Sequence, residues 1–195
     1  MLPKLQTANV AGNALAQIVQ ARRMQNALAE QPTSPQYNAL AAYGGPTREA
    51  GDALSLLREF EGFSNTPYWD VNAYRAGYGS DTITTEDGRI IPVRQGMSVD
   101  RAGADRDLSR RVSTEFEPSV VRAIGQERYN ALDPQQRAAL VSLAYNYGAG
   151  AWNDDLSGVA RAVRSGGDVR SAISSLASHN DGVNKKRRLR EASFF

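Results

Sequence analysis

Two acidic residues nine positions apart frame the part of this chain best equipped for chemistry. Glu61 stands between Phe60 and Gly62, with Phe63 following, and Asp70 closes the run Pro67-Tyr68-Trp69-Asp70. A pair of carboxylates can cleave a glycosidic bond: one protonates the leaving oxygen, and the other supports the developing positive charge or activates water. The donor must hold its proton near neutral pH, which calls for a partly apolar, desolvated place. The neighbours of Glu61 suit that need. A helix end and the loop folding back from it can set the two groups on opposite walls of a cleft. Each has a plainer use, since a glutamate near a helix end is usually solvated and a loop aspartate commonly accepts backbone N–H bonds.

Composition narrows the alternatives. The 195 residues contain no cysteine and one histidine, His179. No disulfide scaffold or thiolate metal site is available, and neither a histidine-based metal site nor a Ser-His triad is expected. No metal or cofactor is implied. The net charge of +2 is mildly basic, well short of the concentrated charge of nucleic-acid binders, so no nucleic-acid partner is expected. The N-terminus lacks the continuous apolar stretch of a secretory signal, and no window approaches a transmembrane span.

Around Asp70 the chain is unusually aromatic. Tyr68, Trp69, Tyr74 and Tyr78 could cover a small sheet or form a sugar-stacking wall, because each ring joins a flat apolar face to a polar tip. Arg75 lies five positions after Asp70. It could pair with that carboxylate and favour its ionised form, hold a substrate carboxylate, or point away into solvent.

The elements that would position these groups follow from periodicity. Residues 7–31 carry a thin, alanine-rich apolar stripe at helical spacing, suited to packing on another helix or another chain. Residues 32–51, with Pro32, Pro35, Gly44, Gly45 and Pro46, read as a linker. This predicts an N-terminal extension over 1–51 and a main domain over 52–195. The main domain would open at Asp52 as an N-cap, run through a short helix burying Ala53, Leu54, Leu56, Leu57 and Phe60, and stop near Gly62. Residues 63–93 predict a small irregular sheet with a hairpin turn at Glu86-Asp87-Gly88. From Ser98 or Asp100 a long helix should run to about Glu115, and Pro118 opens a short one. Asp133-Pro134 opens the most apolar helix, which buries Ala138, Ala139, Leu140, Leu143 and Ala144 and ends at Gly148. Two more helices are expected near 155–165 and 168–178, and a last one from about Asn184.

Ser142 and Asn146 fall one turn apart on one helix face. Asn146 could line a cleft or make an internal hydrogen bond. His179 is expected to be structural or on the surface. The run Lys185, Lys186, Arg187, Arg188 and Arg190 reads as a solvated helix face, with Leu189 and Phe194 or Phe195 turned inward.

Three ordered blocks resemble the phage-type lysozymes of glycoside hydrolase family 24. EFEGF (59–63), YWD ending at Asp70 and AGYGS (76–80) follow one another as in that family, with the same Glu-to-Asp spacing. LDPQQRAALVSLAYNYGAGAW (132–152) is similar to its polar-spaced helix, and KKRRLREASFF (185–195) to its basic C-terminus. The resemblance covers about residues 53–195. It implies an α+β, lysozyme-like fold with a small sheet lobe, a larger helical lobe and a cleft between them. It also implies cleavage of peptidoglycan, with Glu61 as general acid and Asp70 as second carboxylate. Arg75 would tune Asp70 or hold substrate, and Tyr68, Tyr78, Ser80 and Asn146 would contact the glycan.

Two departures stand out: Arg75 replaces the family's threonine, in a loop one residue shorter, and Ser80 replaces its histidine. That threonine helps hold the attacking water, and arginine, which has no acceptor, cannot copy it. A lytic transglycosylase giving 1,6-anhydro products therefore stands beside the hydrolase reading, as does an inactive peptidoglycan-binding virion protein. Such a lysin would be made in the host cytoplasm and act on the cell wall. The N-terminal helix suggests packaging with other virion proteins for use at entry, with an ordinary endolysin acting at host lysis as the other role.

Overall fold

The computed structural model describes residues 48–195, with side chains from Ala53 onward. The helix expected over 7–31 and most of the linker lie outside the described residues. Those described form two compact units, one of residues 61–107 and one of residues 48–60 with 108–195. Among them, no helix is long and apolar enough to cross a membrane.

Helix α1 spans Arg48–Glu61. It begins four residues before Asp52, so Asp52 lies inside the helix and is not its N-cap. Arg48, Glu49 and Ala50 are good helix formers and carry the helix back past it. Ala53, Leu54, Leu56 and Leu57 are buried, at the spacing of one helix face. Phe60 is partly exposed. Gly62, at φ 63°, ends the helix in a left-handed conformation that favours glycine.

The first unit holds the strands. They form two separate antiparallel pairs rather than one sheet. In one, β1 (Ser64–Asp70) pairs with β2 (Ala73–Gly77), with Tyr68 opposite Arg75, Trp69 opposite Tyr74 and Asp70 opposite Ala73. Opposed residues share a face and successive residues alternate. One face therefore carries Tyr68, Asp70, Ala73 and Arg75, and the other carries Trp69 and Tyr74. In the second pair, β3 (Thr82–Thr84) meets β4 (Ile90–Pro92) across the expected turn, with Gly88 at φ 81°. An isolated bridge joins Ala76 and Ser80.

Helix α2 (Arg101–Arg111) is capped by Asp100, whose Oδ1 accepts from the Gly103 amide at 2.6 Å; Ser98 is not the cap. The helix does not break near Glu115. It widens into a π-helical turn, Val112–Phe116, and continues as α3, Glu117–Ile124. Pro118 explains the widening, because it has no N–H for the carbonyl four residues back and its ring crowds that carbonyl.

The second unit is helical. After α4 (Gln126–Ala131), α5 (Pro134–Tyr147) opens with a capping box in which Asp133 and Gln136 exchange side-chain-to-backbone bonds. Residues 138–144 of α5 are buried without interruption, the mark of a helix packed on all sides. Helices α6 (Ser157–Ser165), α7 (Val169–Ser175) and α8 (Lys185–Ala192) follow.

In helix α8, Lys185, Lys186 and Arg190 face solvent as expected, but the rest of the basic run and Leu189 do not follow the expected orientation. Arg187 and Arg188 are buried, whereas Leu189 is 48% exposed. The cause is Glu191, fully buried on the same face. Arg187 Nε lies 3.2 Å from its Oε1, and Arg188 Nη2 donates to Oε1 at 3.0 Å. Arg188 Nε also sits 2.9 Å from Oε2, an ionic contact without hydrogen-bond alignment. Desolvation pushes the Glu191 carboxyl up and the Arg188 guanidinium down, and each partner's charge pulls the other back. A buried acid needs such partners, and that need outweighs the general tendency of charge runs to face water.

Candidate active site

Three carboxylates are buried among the described residues: Glu61, Asp107 and Glu191. Asp107 is held by hydroxyls and Glu191 by arginines, so both serve the interior. Glu61 is the last residue of α1, where the chain turns through Gly62 into β1. At 8% exposure it is largely withdrawn from water.

Asp70 ends β1, one residue before the hairpin turn. Its Oδ2 lies 2.9 Å from Arg75 Nε, with the two side chains 30% and 26% exposed. The register produces the pair: Asp70 and Arg75 are diagonal neighbours on one face, within reach of a long side chain. Arg75 is thus paired with Asp70 and does not point away into solvent. Its Nη1 also reaches the Gly79 carbonyl at 3.4 Å. Tyr68, opposite Arg75, shares this face and is partly exposed.

The aromatic residues divide by face. Tyr78 is 3% exposed. Its ring packs edge-on against Phe63 at 5.7 Å, and its hydroxyl accepts from Arg101 Nη1 at 3.3 Å. Arg101 in turn lies over Phe63 at 4.4 Å. Tyr78 is thus core, not glycan wall. Trp69 is 57% exposed but sits on the hairpin face opposite Asp70, edge-on to Tyr74 at 5.2 Å.

Ser80 is also buried, and its hydroxyl donates to Asp107 Oδ2 at 2.7 Å. It fills an internal position instead of facing a ligand. Packing also accounts for the glycine at position 77, which has φ +61°. A Cβ there would stand 2.7 Å from the Cβ of Ala104 on α2, so this turn can approach the helix only with glycine.

Asn146 belongs to the second unit, where its Oδ1 accepts from Asn184 Nδ2 at 3.3 Å. Ser142, one turn earlier, is interior: it donates to Glu191 Oε1 at 2.6 Å. His179 is exposed, with Nδ1 3.3 Å from the Tyr147 hydroxyl. In the first unit Tyr68, Asp70 and Arg75 therefore share one hairpin face, and Glu61 lies at the helix end that leads into that hairpin. Asp107 escaped the sequence reading, although the alternation of Ser80, Thr82 and Thr84, three hydroxyls on one face, was a signal for it.

Comparison with known proteins bears on the family and the fold. The family model described as phage lysozyme matches residues 58–191. No curated protein matches the chain. Among solved structures, a point mutant of P22 lysozyme superposes with a TM-score of 0.57 at 21% identity, covering 74% of this chain and 94% of that one. The muramidase domain of SpmX from Asticaccaulis excentricus gives 0.56 at 24% identity, covering 73% and 93%. The active form of the P1 phage endolysin Lyz gives 0.57 at 17% identity, covering 80% and 88%. These likenesses establish a lysozyme-like α+β fold. With a family match that begins at Arg58 and runs through both candidate carboxylates into α8, the chain belongs to the phage lysozyme family.

Proposed function

We propose that this protein is a muramidase that cleaves the β-1,4 bond between N-acetylmuramic acid and N-acetylglucosamine in peptidoglycan. The observation that carries the reading is the pairing of environments: a buried glutamate at the end of α1, followed by a partly exposed aspartate on the next hairpin. Glu61 gives its proton to the glycosidic oxygen as the C1–O bond breaks. Asp70 faces the positive charge that develops at the sugar ring. Arg75 holds Asp70 by one oxygen and leaves the other for the reaction. Tyr68, on the same face, contacts the glycan, whereas Ser80 and Tyr78 shape the turn from inside.

Arg75 favours a second reading. It stands where the family resemblance calls for a water-holding threonine, and it offers only donors. In a lytic transglycosylase the muramic acid C6 hydroxyl attacks C1, its proton passes to the Glu61 carboxylate, and a 1,6-anhydro product forms without water.

The test is digestion of purified peptidoglycan by wild type and by Glu61→Gln, with mass spectrometry of the products. Soluble muropeptides with reducing ends support hydrolysis, and anhydro ends support transglycosylation. No release by wild type would leave only a peptidoglycan-binding role. For residues 1–51 we propose an anchoring role in a phage particle, so that the lysin is made in the host cytoplasm and carried to the wall. Absence of the protein from purified particles would refute that role.

A further inference from the structure

The two departures at Arg75 and Ser80 belong to one connected structure in the first unit. Asp107, on α2, is fully buried. Its Oδ2 accepts from Ser80 at 2.7 Å and its Oδ1 from Thr84 at 2.9 Å, while Thr82 Oγ1 lies 3.1 and 3.2 Å from the two oxygens. A carboxylate so enclosed fixes its donors firmly, because each lost bond would leave a buried acceptor short. Ser80 is thereby tied to α2.

Ser80 in turn closes the turn that follows β2. The Ala76 amide donates to the Ser80 carbonyl at 2.9 Å, and the Ser80 and Gly79 amides donate to the Ala76 carbonyl at 3.1 and 3.0 Å. Arg75 immediately precedes this turn and bonds into it through the Gly79 carbonyl, while its Nε holds Asp70. The guanidinium is thus fixed at both ends, on one side by the turn and on the other by the carboxylate.

We propose that Asp107, acting through Ser80 and the 76–80 turn, positions Arg75 and so fixes the direction in which Asp70 presents its carboxylate. The inference rests on the reading of Asp70 as the second carboxylate. Asp107 and Ser80 are positioning residues in this scheme and touch no substrate. Their effect must appear at Arg75 and in turnover, whereas a merely structural role would appear only as lost stability.

The test compares Ser80→Ala with Ser142→Ala, which removes a buried hydroxyl from a carboxylate in the other unit. The Arg75 Nε–H resonance is followed by NMR, and kcat and KM are measured on peptidoglycan. Ser80→Ala is expected to shift or broaden the Arg75 signal and to lower kcat about three- to tenfold with KM unchanged. Ser142→Ala should do neither at a similar loss of melting temperature. The proposal is overturned if the Arg75 signal in Ser80→Ala matches wild type, or if Ser142→Ala moves it equally. If the Arg75 signal responds as expected but Asp70→Asn keeps wild-type muropeptide release, the positioning of Arg75 stands and the assignment of Asp70 falls.

Discussion

Arg75 Nε stands 2.9 Å from Asp70 Oδ2, joined across the hairpin by a register that makes the two residues diagonal neighbours. The pair is partly open to solvent, and such pairs contribute about 0–1 kcal/mol to stability. Its value should therefore lie in orientation. Arg75→Ala is expected to lower kcat on peptidoglycan by about tenfold with KM changed less than about twofold. Its melting temperature should stay within about 3 °C of wild type. Arg75→Lys keeps the charge but not the planar fork and should fall between them. Steady-state kinetics beside thermal melts would check this, and a large loss of stability with kcat intact would contradict it.

The interior of the second unit should behave in the opposite way. Ser142 Oγ donates to Glu191 and accepts from Arg187 Nη2 at 3.0 Å, with all three side chains buried. Ser142→Ala strands those partners, and a buried group left unsatisfied costs about 1–3 kcal/mol. The melting temperature is expected to fall by roughly 2–4 °C for each kcal/mol, with kcat at 25 °C close to wild type. Calorimetry together with turnover measurements would decide.

The contrast between these two clusters also marks what could be read from sequence. Local chemistry was legible: Asp133-Pro134 opens its helix, and Gly62 and Gly148 end theirs, whereas the Asp133–Gln136 capping box and the tight hairpin that joins Asp70 to Arg75 emerge only in the structure. Partners distant along the chain were not. Ser80 finds Asp107 across 27 residues, and Ser142 finds Glu191 across 49, and no local pattern specifies either. Arg187 and Arg188 look like surface charges until Glu191 is seen to be buried beside them. Tyr78 was expected as a ligand contact from its ring and Ser80 from the family resemblance, yet packing against Phe63 and Asp107 puts them inside.

Asp168 offers a test by pH. Its side chain caps α7, accepting from the Ser171 amide at 2.9 Å and the Ser171 hydroxyl at 2.7 Å. These bonds hold its carboxyl below the ordinary aspartate value of 3.8. A depressed folded value means the unfolded chain takes up protons first. The stabilisation is thus present above the ordinary aspartate range and is lost as pH falls through the folded value. Asp168→Ala should melt below wild type at neutral pH, and the gap should narrow between about pH 5 and pH 3. Asp168→Asn should keep the cap with a flatter acid limb. A gap that stays constant with pH would contradict the argument.

Val71 carries a different kind of local cost, beside the proposed catalytic aspartate. It is the first of the two residues linking Asp70 to Ala73, has φ 53° and is 87% exposed. The Asn72 amide donates to the Asp70 carbonyl at 2.6 Å, so Val71 is the central residue of a γ-turn, and with positive φ this is the rare form of that turn. For a β-branched residue it is a strained conformation, and its exposure leaves little packing to offset the strain. Val71→Gly is expected to relieve roughly 1 kcal/mol, after allowing for the added freedom of the unfolded chain, and to raise the melting temperature by about 2–4 °C. Val71→Asn, which tolerates the left-handed region, should gain in the same direction, and Val71→Ile should not. Thermal melts of the three variants check the order. If glycine destabilises, the valine must make contacts that hold the turn, and the hairpin carrying Asp70 would then depend on that side chain as well as on Arg75.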